Sequence, residues 1–167
     1  PFIPGNVAAD NDAVASKQSL VSKLRFNREK RELLQSLDLL VIDEISMVRC
    51  DVLDAIDTIL KHARRNYHLP FGGVQLLCIG DLYQLPPVAQ NHEWNILSEY
   101  YQSPFFFDSQ AIKEQSPLLI ELNKIYRQKQ DSFVRLLNKV RNNQMGADDF
   151  EDLHLRFEPT FQPDKEE

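Results

Sequence analysis

The sequence predicts an α/β protein built on a parallel sheet, because apolar runs typical of strands alternate with amphipathic helical patterns. The apolar runs cover residues 39–43, 74–79 and 118–122, and residues with helical spacing separate them. This alternation favours right-handed crossovers between parallel strands. The first run has no polar interruption from Leu39 to Ile42, which predicts a strand buried on both faces between helices.

The composition is that of an ordinary globular protein and excludes several classes. The 167 residues are 43% hydrophobic and 26% charged, which suits one domain. The net charge of −6 argues against a large exposed nucleic-acid-binding face, although it allows contact with DNA along one edge. No apolar run has the length of a membrane span, no signal peptide opens the chain, and the two cysteines fit no metal spacing. We therefore expect a cytoplasmic, intracellular protein without a membrane association.

The chain divides into three regions by its sequence pattern. The pattern predicts a loop or weakly ordered lead at residues 1–16 and the folded domain at residues 17–157. It predicts a polar tail at residues 158–167. The chain begins with Pro1 rather than methionine. We therefore expect it to be a piece of a longer protein.

Helical patterns justify the elements between the strands. Asn27 is placed to cap a helix that runs to Leu37. After the first strand, apolar residues from Val52 to Ala63 share one helical face, with acids towards the start and basic residues at the end, as the helix dipole favours. Further helices are predicted at 92–101, from a cap at Asp108 to Glu114, at 133–140 with Asp131 near the start, and at 147–154.

Polar side chains with catalytic potential follow the predicted strands. Asp43 and Glu44 come directly after the first strand. Asp81 and Gln84 follow the second strand, and Arg127 follows the third. Because ligands of open α/β sheets bind at the carboxyl ends of the strands, we expect these side chains to converge on one edge.

This set of side chains suits the hydrolysis of a nucleoside triphosphate. Adjacent carboxylates at a strand end can hold Mg²⁺ through water and orient or deprotonate an attacking water molecule. An amide such as Gln84 can sense a terminal phosphate, and an arginine such as Arg127 can neutralise charge on the departing phosphoryl group. A structural alternative stays open for Asp81, which can cap a turn after Gly80.

Three motifs resemble those of the PIF family of DNA helicases, relatives of the RecD type within superfamily 1. Residues 41–47, with the sequence VIDEISM, look like the Walker B motif. Residues 80–88, GDLYQLPPV, look like motif III, and residues 122–128, LNKIYRQ, resemble motif IV. The order and spacing of the motifs agree with the family, and the resemblance extends from about residue 24 to residue 145.

The resemblance implies a RecA-like domain of the P-loop NTPase class within an ATP-dependent DNA helicase. Such a protein uses ATP and Mg²⁺ to move along single-stranded DNA, in DNA repair or recombination. By resemblance, Asp43 is the Mg²⁺-binding acid and Glu44 is the catalytic base. Arg127 resembles the arginine that reaches the γ-phosphate, as a nucleotide-binding and catalytic residue.

Motif III implies a link between the nucleotide and DNA. By resemblance, Gln84 connects the γ-phosphate to DNA binding, and Asp81 and Pro86 are further candidates for coupling to DNA. The family's phosphate-binding loop, Gly-x-x-x-x-Gly-Lys-Ser/Thr, is absent from this sequence. We therefore expect a partial RecA-like sheet that lacks the phosphate-loop strand. We also expect that the chain by itself does not hydrolyse ATP appreciably.

The missing strand would leave a gap between residues 74–79 and 118–122. We expect either that these two strands collapse onto each other or that their unpaired edges support self-association. Two other functions stay open. One is a non-catalytic RecA-like binding or regulatory module, and the other is a nuclease or phosphatase that holds metal through Asp43 and Glu44. The second would need further acids, of which Asp81 is the candidate.

Overall fold

A computed structural model describes residues 20–22, 26–126 and 130–160 of the protein. The chain divides into two compact units, Pro1–Leu119 and Ile120–Glu167. The first unit carries the sheet and the first two of the three strand-end motifs.

The described elements of the first unit are two strands and four helices. The strands are β1 (Leu39–Ile42) and β2 (Gln75–Cys78). The helices are α1 (Arg28–Ser36), α2 (Cys50–Arg64), α3 (Asn91–Leu97) and α4 (Gln110–Glu114), with 3-10 turns at Ile45–Met47, Pro70–Gly73 and Phe106–Asp108. Residues 20–22 are also helical. The two strands pair in parallel, which confirms the predicted α/β class.

Helix α2 forms the centre of the first unit. Its Leu53 and Leu60 are buried in a cluster with Phe71, Val74, Ala111 and Ile112. Leu40, Ile42 and Leu76 of the sheet pack against that cluster. Burial of such side chains is worth about 1.5–3 kcal/mol each, so this cluster around α2 contributes strongly to the cohesion of the first unit.

The other face of the sheet is exposed to solvent. Leu39, Val41 and Leu77 are 44–48% exposed and alternate along the strands with half-buried neighbours. The prediction of a strand buried on both faces is therefore wrong for this chain. A continuous apolar run is typical of a sheet covered on both sides, and here the packed layer lies on one side of the described strands.

The predicted third strand is absent: residues 116–126 have no regular structure. Leu118 and Leu122 are 86% and 88% exposed. The predicted collapse of this segment onto β2 is also wrong, because β2 pairs with β1 alone among the described residues. A β-strand is defined by the ladder it forms with a neighbour, and an apolar run without a partner strand stays irregular.

The ends of the helices confirm one predicted cap and correct another. Asn27 Oδ1 accepts a hydrogen bond of 2.9 Å from the backbone N–H of Lys30, so Asn27 caps α1 as expected. The cap of α4 is Ser109 rather than Asp108, since its Oγ accepts from the N–H of Ile112. The Asp108 carboxylate instead accepts hydrogen bonds from Ser103 and from Lys113, the latter at 2.9 Å.

Three acids on α2, which the dipole argument places near its start, are buried and bind neighbouring segments. Asp51 accepts two hydrogen bonds from Arg49, and Asp57 accepts one from the backbone N–H of Phe71 at 2.7 Å. Asp54 accepts hydrogen bonds from three donors in residues 101–111. The acids thus fix the loops around α2, a function that helical periodicity alone does not indicate.

The second unit contains the predicted helices α5 (Asp131–Arg141) and α6 (Ala147–His154). Lys139 Nζ lies 2.6 Å from Asp149 Oδ1, and the N–H of Gly146 donates to Asp149 Oδ2 at 2.8 Å. This carboxylate therefore joins α5 to the first turn of α6. Among the described residues, no helix combines the length and the apolar character needed to cross a membrane.

Candidate active site

The ends of the two strands meet at one edge of the sheet. The N–H of Ile79 donates to the carbonyl oxygen of Ile42 at 2.9 Å, and the N–H of Ile45 donates to the carbonyl oxygen of Ile79 at 2.9 Å. These two hydrogen bonds extend the parallel ladder beyond the last paired residues. They place the turn at Asp43–Glu44 beside the start of the loop at Gly80–Asp81, as the sequence predicts.

The acid pair lies on a sharp turn. Glu44 has φ 51° and ψ 43°, the left-handed backbone conformation that residues other than glycine rarely adopt. Asp43 Oδ1 accepts a hydrogen bond of 2.8 Å from the N–H of Glu44, and the N–H of Met47 donates to the Glu44 carbonyl at 3.0 Å. Both carboxylates are exposed. Such a conformation costs about 1–3 kcal/mol and is typical of functional sites, where surrounding bonds hold it.

Gly80 allows the second loop to approach the acid turn closely. A methyl group at Gly80 would lie 3.0 Å from both the backbone nitrogen and Cγ2 of Ile45, and 3.3 Å from the backbone nitrogen of Ser46. Cβ atoms rarely come this close to a backbone atom, so a larger residue at position 80 would require the neighbouring segment to shift by a few tenths of an ångström. The sequence marks Gly80 as a turn residue and does not reveal this packing role.

Asp81 organises the loop that follows β2. Its Oδ1 accepts from the N–H of Tyr83 at 3.0 Å, and its carbonyl oxygen accepts from the N–H of Gln84 at 3.1 Å. The amide Nε2 of Gln84 donates to Asp81 Oδ2 at 3.4 Å. Asp81 therefore caps this turn, the alternative that the sequence left open, and it also orients the Gln84 side chain.

The rest of this loop presents apolar and aromatic side chains to solvent. Tyr83 is 67% exposed and Val88 is 79% exposed. Pro86 is exposed, whereas Pro87 is buried. An exposed tyrosine with flanking apolar groups beside an acid pair is able to stack against a planar ligand such as a nucleic-acid base.

Arg49, to which the sequence assigned no role, links the acid turn to α3. Its Nε and Nη2 donate to the two carboxylate oxygens of Asp51 at 2.9 and 2.8 Å, and its Nη1 donates to Glu93 Oε2 at 2.9 Å. The same Glu93 oxygen accepts from the N–H of Gln90. Partial burial acts to raise the pKa of Glu93, but the hydrogen bond from Gln90 and the charge of Arg49 outweigh it, so this pKa lies below its ordinary value.

A signal for Arg49 was present in the sequence. A cation immediately before a helix faces the positive end of the helix dipole, which is unfavourable without a nearby acid. Arg49 stands at the N-cap of α2, so a buried acidic partner was to be expected.

Ser46 is the buried polar side chain next to the acid pair. It is 1% exposed, and its Oγ has no hydrogen-bond partner within the part of the chain that the structure describes. Buried hydroxyl groups are normally paired, so this one stands out.

Arg127 lies outside the described residues, and its role stays a prediction. Its described neighbours show only a local contact: Lys124 Nζ lies 4.9 Å from the centre of the Tyr126 ring.

The donor set at the strand ends fits Mg²⁺ in the manner of nucleotide-bound magnesium. That ion keeps several waters and takes one or two carboxylates together with phosphate oxygens. Asp43 and Glu44 supply such exposed carboxylates. In residues 20–22, 26–126 and 130–160 no group of three or more acidic, histidine or cysteine side chains forms a cage for a metal.

The sequence profile of the PIF1-like helicase family matches residues 10–151. The chain belongs to the PIF1-like helicase family. The ATP-dependent DNA helicase PIF1 of Saccharomyces cerevisiae is 38% identical over 123 residues, which are 73% of this chain and 13% of that protein. The PIF1 helicase of Candida albicans is 38% identical over 139 residues, 81% of this chain and 15% of that protein.

Solved PIF1-like helicases share the fold. A crystal structure of Pif1 helicase from Bacteroides in complex with ADP-AlF3 and single-stranded DNA superimposes with a TM-score of 0.82 at 37% identity, and covers 99% of this chain and 36% of that one. Pif1 helicase from Candida albicans gives a TM-score of 0.72 at 35% identity over 89% of this chain and 32% of that one. The α/β architecture is therefore the RecA-like fold of these helicases, and the chain spans about a third of their length.

Proposed function

We propose that the chain serves in the motor of an ATP-dependent DNA helicase, which couples ATP hydrolysis to movement along single-stranded DNA and to duplex unwinding. The observation that carries this proposal is the convergence of the acid pair and the motif III loop at one sheet edge, joined by the hydrogen bond from Ile45 to Ile79. The curated relatives are ATP-dependent DNA helicases by name. The Bacteroides relative binds ADP-AlF3 and single-stranded DNA.

The proposed roles at the strand ends follow from the side chains. Asp43 holds Mg²⁺, which when bound neutralises phosphate charge. Glu44, displayed on its strained turn, orients and deprotonates the attacking water. Gln84 donates a hydrogen bond to the terminal phosphate. Asp81 and Pro86, which lie on either side of Gln84 in the same loop, contact DNA.

Arg127 completes the proposed site. A guanidinium donates several hydrogen bonds in a fixed plane and stays charged at all relevant pH values, so it stabilises charge that develops on the γ-phosphate in the transition state. We place it at the nucleotide on the strength of its position in the motif at 122–128.

We further propose an intracellular, cytoplasmic location and a contribution to DNA repair or recombination. The proposed motor moves along DNA, and Cys50 and Cys78 carry free thiols. Unpaired cysteines are typical of a reducing compartment.

The test is the ATPase rate of the product of the complete reading frame, with and without single-stranded DNA. We expect hydrolysis stimulated by DNA in the wild type. Glu44→Gln and Arg127→Ala should each lower kcat by about a hundredfold or more, because each removes a group that acts on the reacting atoms. Glu29→Gln, an equivalent change at an exposed acid of α1, is the matched control and should leave the rate unchanged.

The variants distinguish the proposal from its alternative. Wild-type hydrolysis that persists in Glu44→Gln would assign the reaction to another residue. A folded wild type without any hydrolysis would favour a non-catalytic RecA-like binding or regulatory module.

We also propose that the isolated chain does not hydrolyse ATP appreciably and that it self-associates through its sheet. Leu39, Val41, Leu77 and Ile79 expose apolar side chains, and the outer edges of β1 and β2 have no strand partner among the described residues. Unpaired edges with apolar side chains favour pairing with a second chain. Sedimentation velocity should show dimers that grow with concentration, and a monomer at all concentrations would contradict the proposal.

A further inference from the structure

The Arg49 guanidinium binds two carboxylates that belong to different parts of the fold. Two of its nitrogens hold Asp51 in α2, and the third donates to Glu93 in the first turn of α3. The side chains of Arg49 and Glu93 are 12% and 17% exposed, and Asp51 is fully buried. Ion pairs shielded in this way depend less on salt and are geometrically better defined than surface pairs.

The positions of Arg49 and Glu93 in the chain show which two segments the ion pair connects. Arg49 lies five residues after Glu44, at the end of the segment that begins with the acid turn. Glu93 lies just after the loop that carries Gln84 and Pro86. The pair thus spans from the acid-turn segment to the far end of the motif III loop.

Both ends of the motif III loop are attached to the same short segment. At its start, Ile79 accepts the hydrogen bond from Ile45, and Gly80 packs against Ile45. At its end, Glu93 is held by Arg49. Between these anchors residues 82–86 are exposed and Pro87 is buried. The loop therefore forms an arch that exposes residues 82–86 and has both ends attached to residues 45–49.

We propose that Arg49 and Glu93 are positioning residues that transmit movement between the acid pair and the motif III arch, and thereby set how strongly single-stranded DNA stimulates ATP hydrolysis. This inference rests on the proposed helicase function. A loop that is attached at one end can rotate about that attachment. A loop that is attached at both ends moves together with the segment that bears Glu44. Loss of the second anchor therefore weakens the coupling between the sites and leaves each site intact.

The structure offers substitutions that separate the ion pair from the helix cap. Glu93 also accepts from the N–H of Gln90, so removal of its side chain would lose both contacts. Asp149 makes the equivalent capping contact from the third position of α6, to the N–H of Gly146 at 2.8 Å. Glu93→Asp is thus expected to keep the cap, while its side chain, shorter by one methylene, no longer reaches Arg49. Glu93→Gln keeps the length and an oxygen acceptor for both donors.

The experiment measures basal and DNA-stimulated ATPase rates of these variants in the product of the complete reading frame, with thermal melting to verify folding. We expect Glu93→Asp to lower the ratio of stimulated to basal rate on the order of tenfold, with the basal rate within about twofold of the wild type. Glu93→Gln should keep the ratio within about twofold of the wild-type ratio. Lys113→Met removes a different ion pair of the same unit, to Asp108, and should leave the ratio unchanged.

Each alternative outcome overturns the inference. An unchanged ratio in Glu93→Asp would show that the anchor transmits nothing. An equal fall in basal and stimulated rates, or an equal effect of Lys113→Met, would show that the ion pair contributes only to the stability of the fold. A wild type without DNA stimulation would overturn the proposed function together with this inference, whereas a stimulated wild type with an unaffected Glu93→Asp overturns the inference alone.

Discussion

The backbone N–H of Ile45 donates a hydrogen bond of 2.9 Å to the carbonyl oxygen of Ile79. Ile45 is 4% exposed and directly follows Glu44. The bond therefore fixes the acid turn to the end of the neighbouring strand. A change that displaces Ile45 should disturb the acid pair without touching either carboxylate.

Gly80→Ala should produce this displacement. The added methyl group would lie 3.0 Å from the backbone nitrogen of Ile45, and a backbone atom cannot move aside as the tip of a flexible side chain can. Overpacking of this kind costs about 1–3 kcal/mol. Urea denaturation followed by circular dichroism should show a lower midpoint, and the ATP hydrolysis proposed for the complete protein should fall with it.

The matched control for this substitution is Gly146→Ala. Gly146 has φ −105°, and its nearest neighbour for a methyl group is the Asp149 carboxylate at 3.7 Å, an ordinary contact. We expect the stability of the Gly146→Ala chain to be within about 1 kcal/mol of the wild type. Equal losses in the two variants would contradict the close approach at Gly80.

Asp54 should be among the most sensitive positions of the first unit. Its carboxylate accepts from the Tyr101 hydroxyl at 2.8 Å and from the N–H groups of Gln110 and Ala111 at 3.0 and 2.9 Å. Asp54→Asn replaces one acceptor oxygen by a donor that faces other donors, so we expect a loss of about 3 kcal/mol. Chemical denaturation measures this difference.

Tyr101→Phe is the control that removes a single bond of this group. The remaining two hydrogen bonds to Asp54 stay in place, so the expected loss is about 1 kcal/mol. If Asp54→Asn cost no more than Tyr101→Phe, the backbone bonds at the start of α4 would not contribute as described.

The predictions that succeeded depend on local patterns. Helices α5 and α6 and the Asn27 cap follow from apolar spacing and polar end residues, which local chemistry determines. The predictions that failed depend on partners: residues 118–122 have the composition of a strand, but a strand forms only beside another. The exposed face at Val41 has the same cause, since apolar character indicates a preference for burial and not the presence of a covering layer.

The candidate site divides in the same way. Asp43 and Asp81 were predicted to converge because topology places strand ends together, and the structure brings their segments to one edge. The contact at Gly80 and the identity of Glu93 as a partner of Arg49 could not be predicted, because they join residues between 34 and 44 positions apart. Such pairings follow from the three-dimensional path of the loops.

Ser46→Ala should stabilise the isolated chain. The buried Ser46 hydroxyl has no hydrogen-bond partner in the described structure, and an unpaired buried hydroxyl costs about 1–3 kcal/mol, which alanine avoids. Urea denaturation of the wild type and the variant measures the gain. Ser109→Ala is the control in the opposite direction, because the buried Ser109 hydroxyl caps α4 and its loss should destabilise. Destabilisation by Ser46→Ala would indicate that the hydroxyl has a partner in solution.

Asp149 should make the second unit sensitive to acid. The hydrogen bond from the N–H of Gly146 and the contact with Lys139 outweigh partial desolvation and hold the pKa of this carboxyl below its ordinary 3.8. Because the folded-state pKa is lowered, the carboxylate stabilises the fold above pH 3.8, and this contribution is lost as the pH falls from 3.8 through the lowered value. An NMR titration of the Asp149 side-chain carbon should show the lowered midpoint, and Asp149→Asn should remove this part of the acid dependence of helix content. A midpoint at or above 3.8 would contradict the prediction, since the contacts with Gly146 and Lys139 would then have no net effect on the charge.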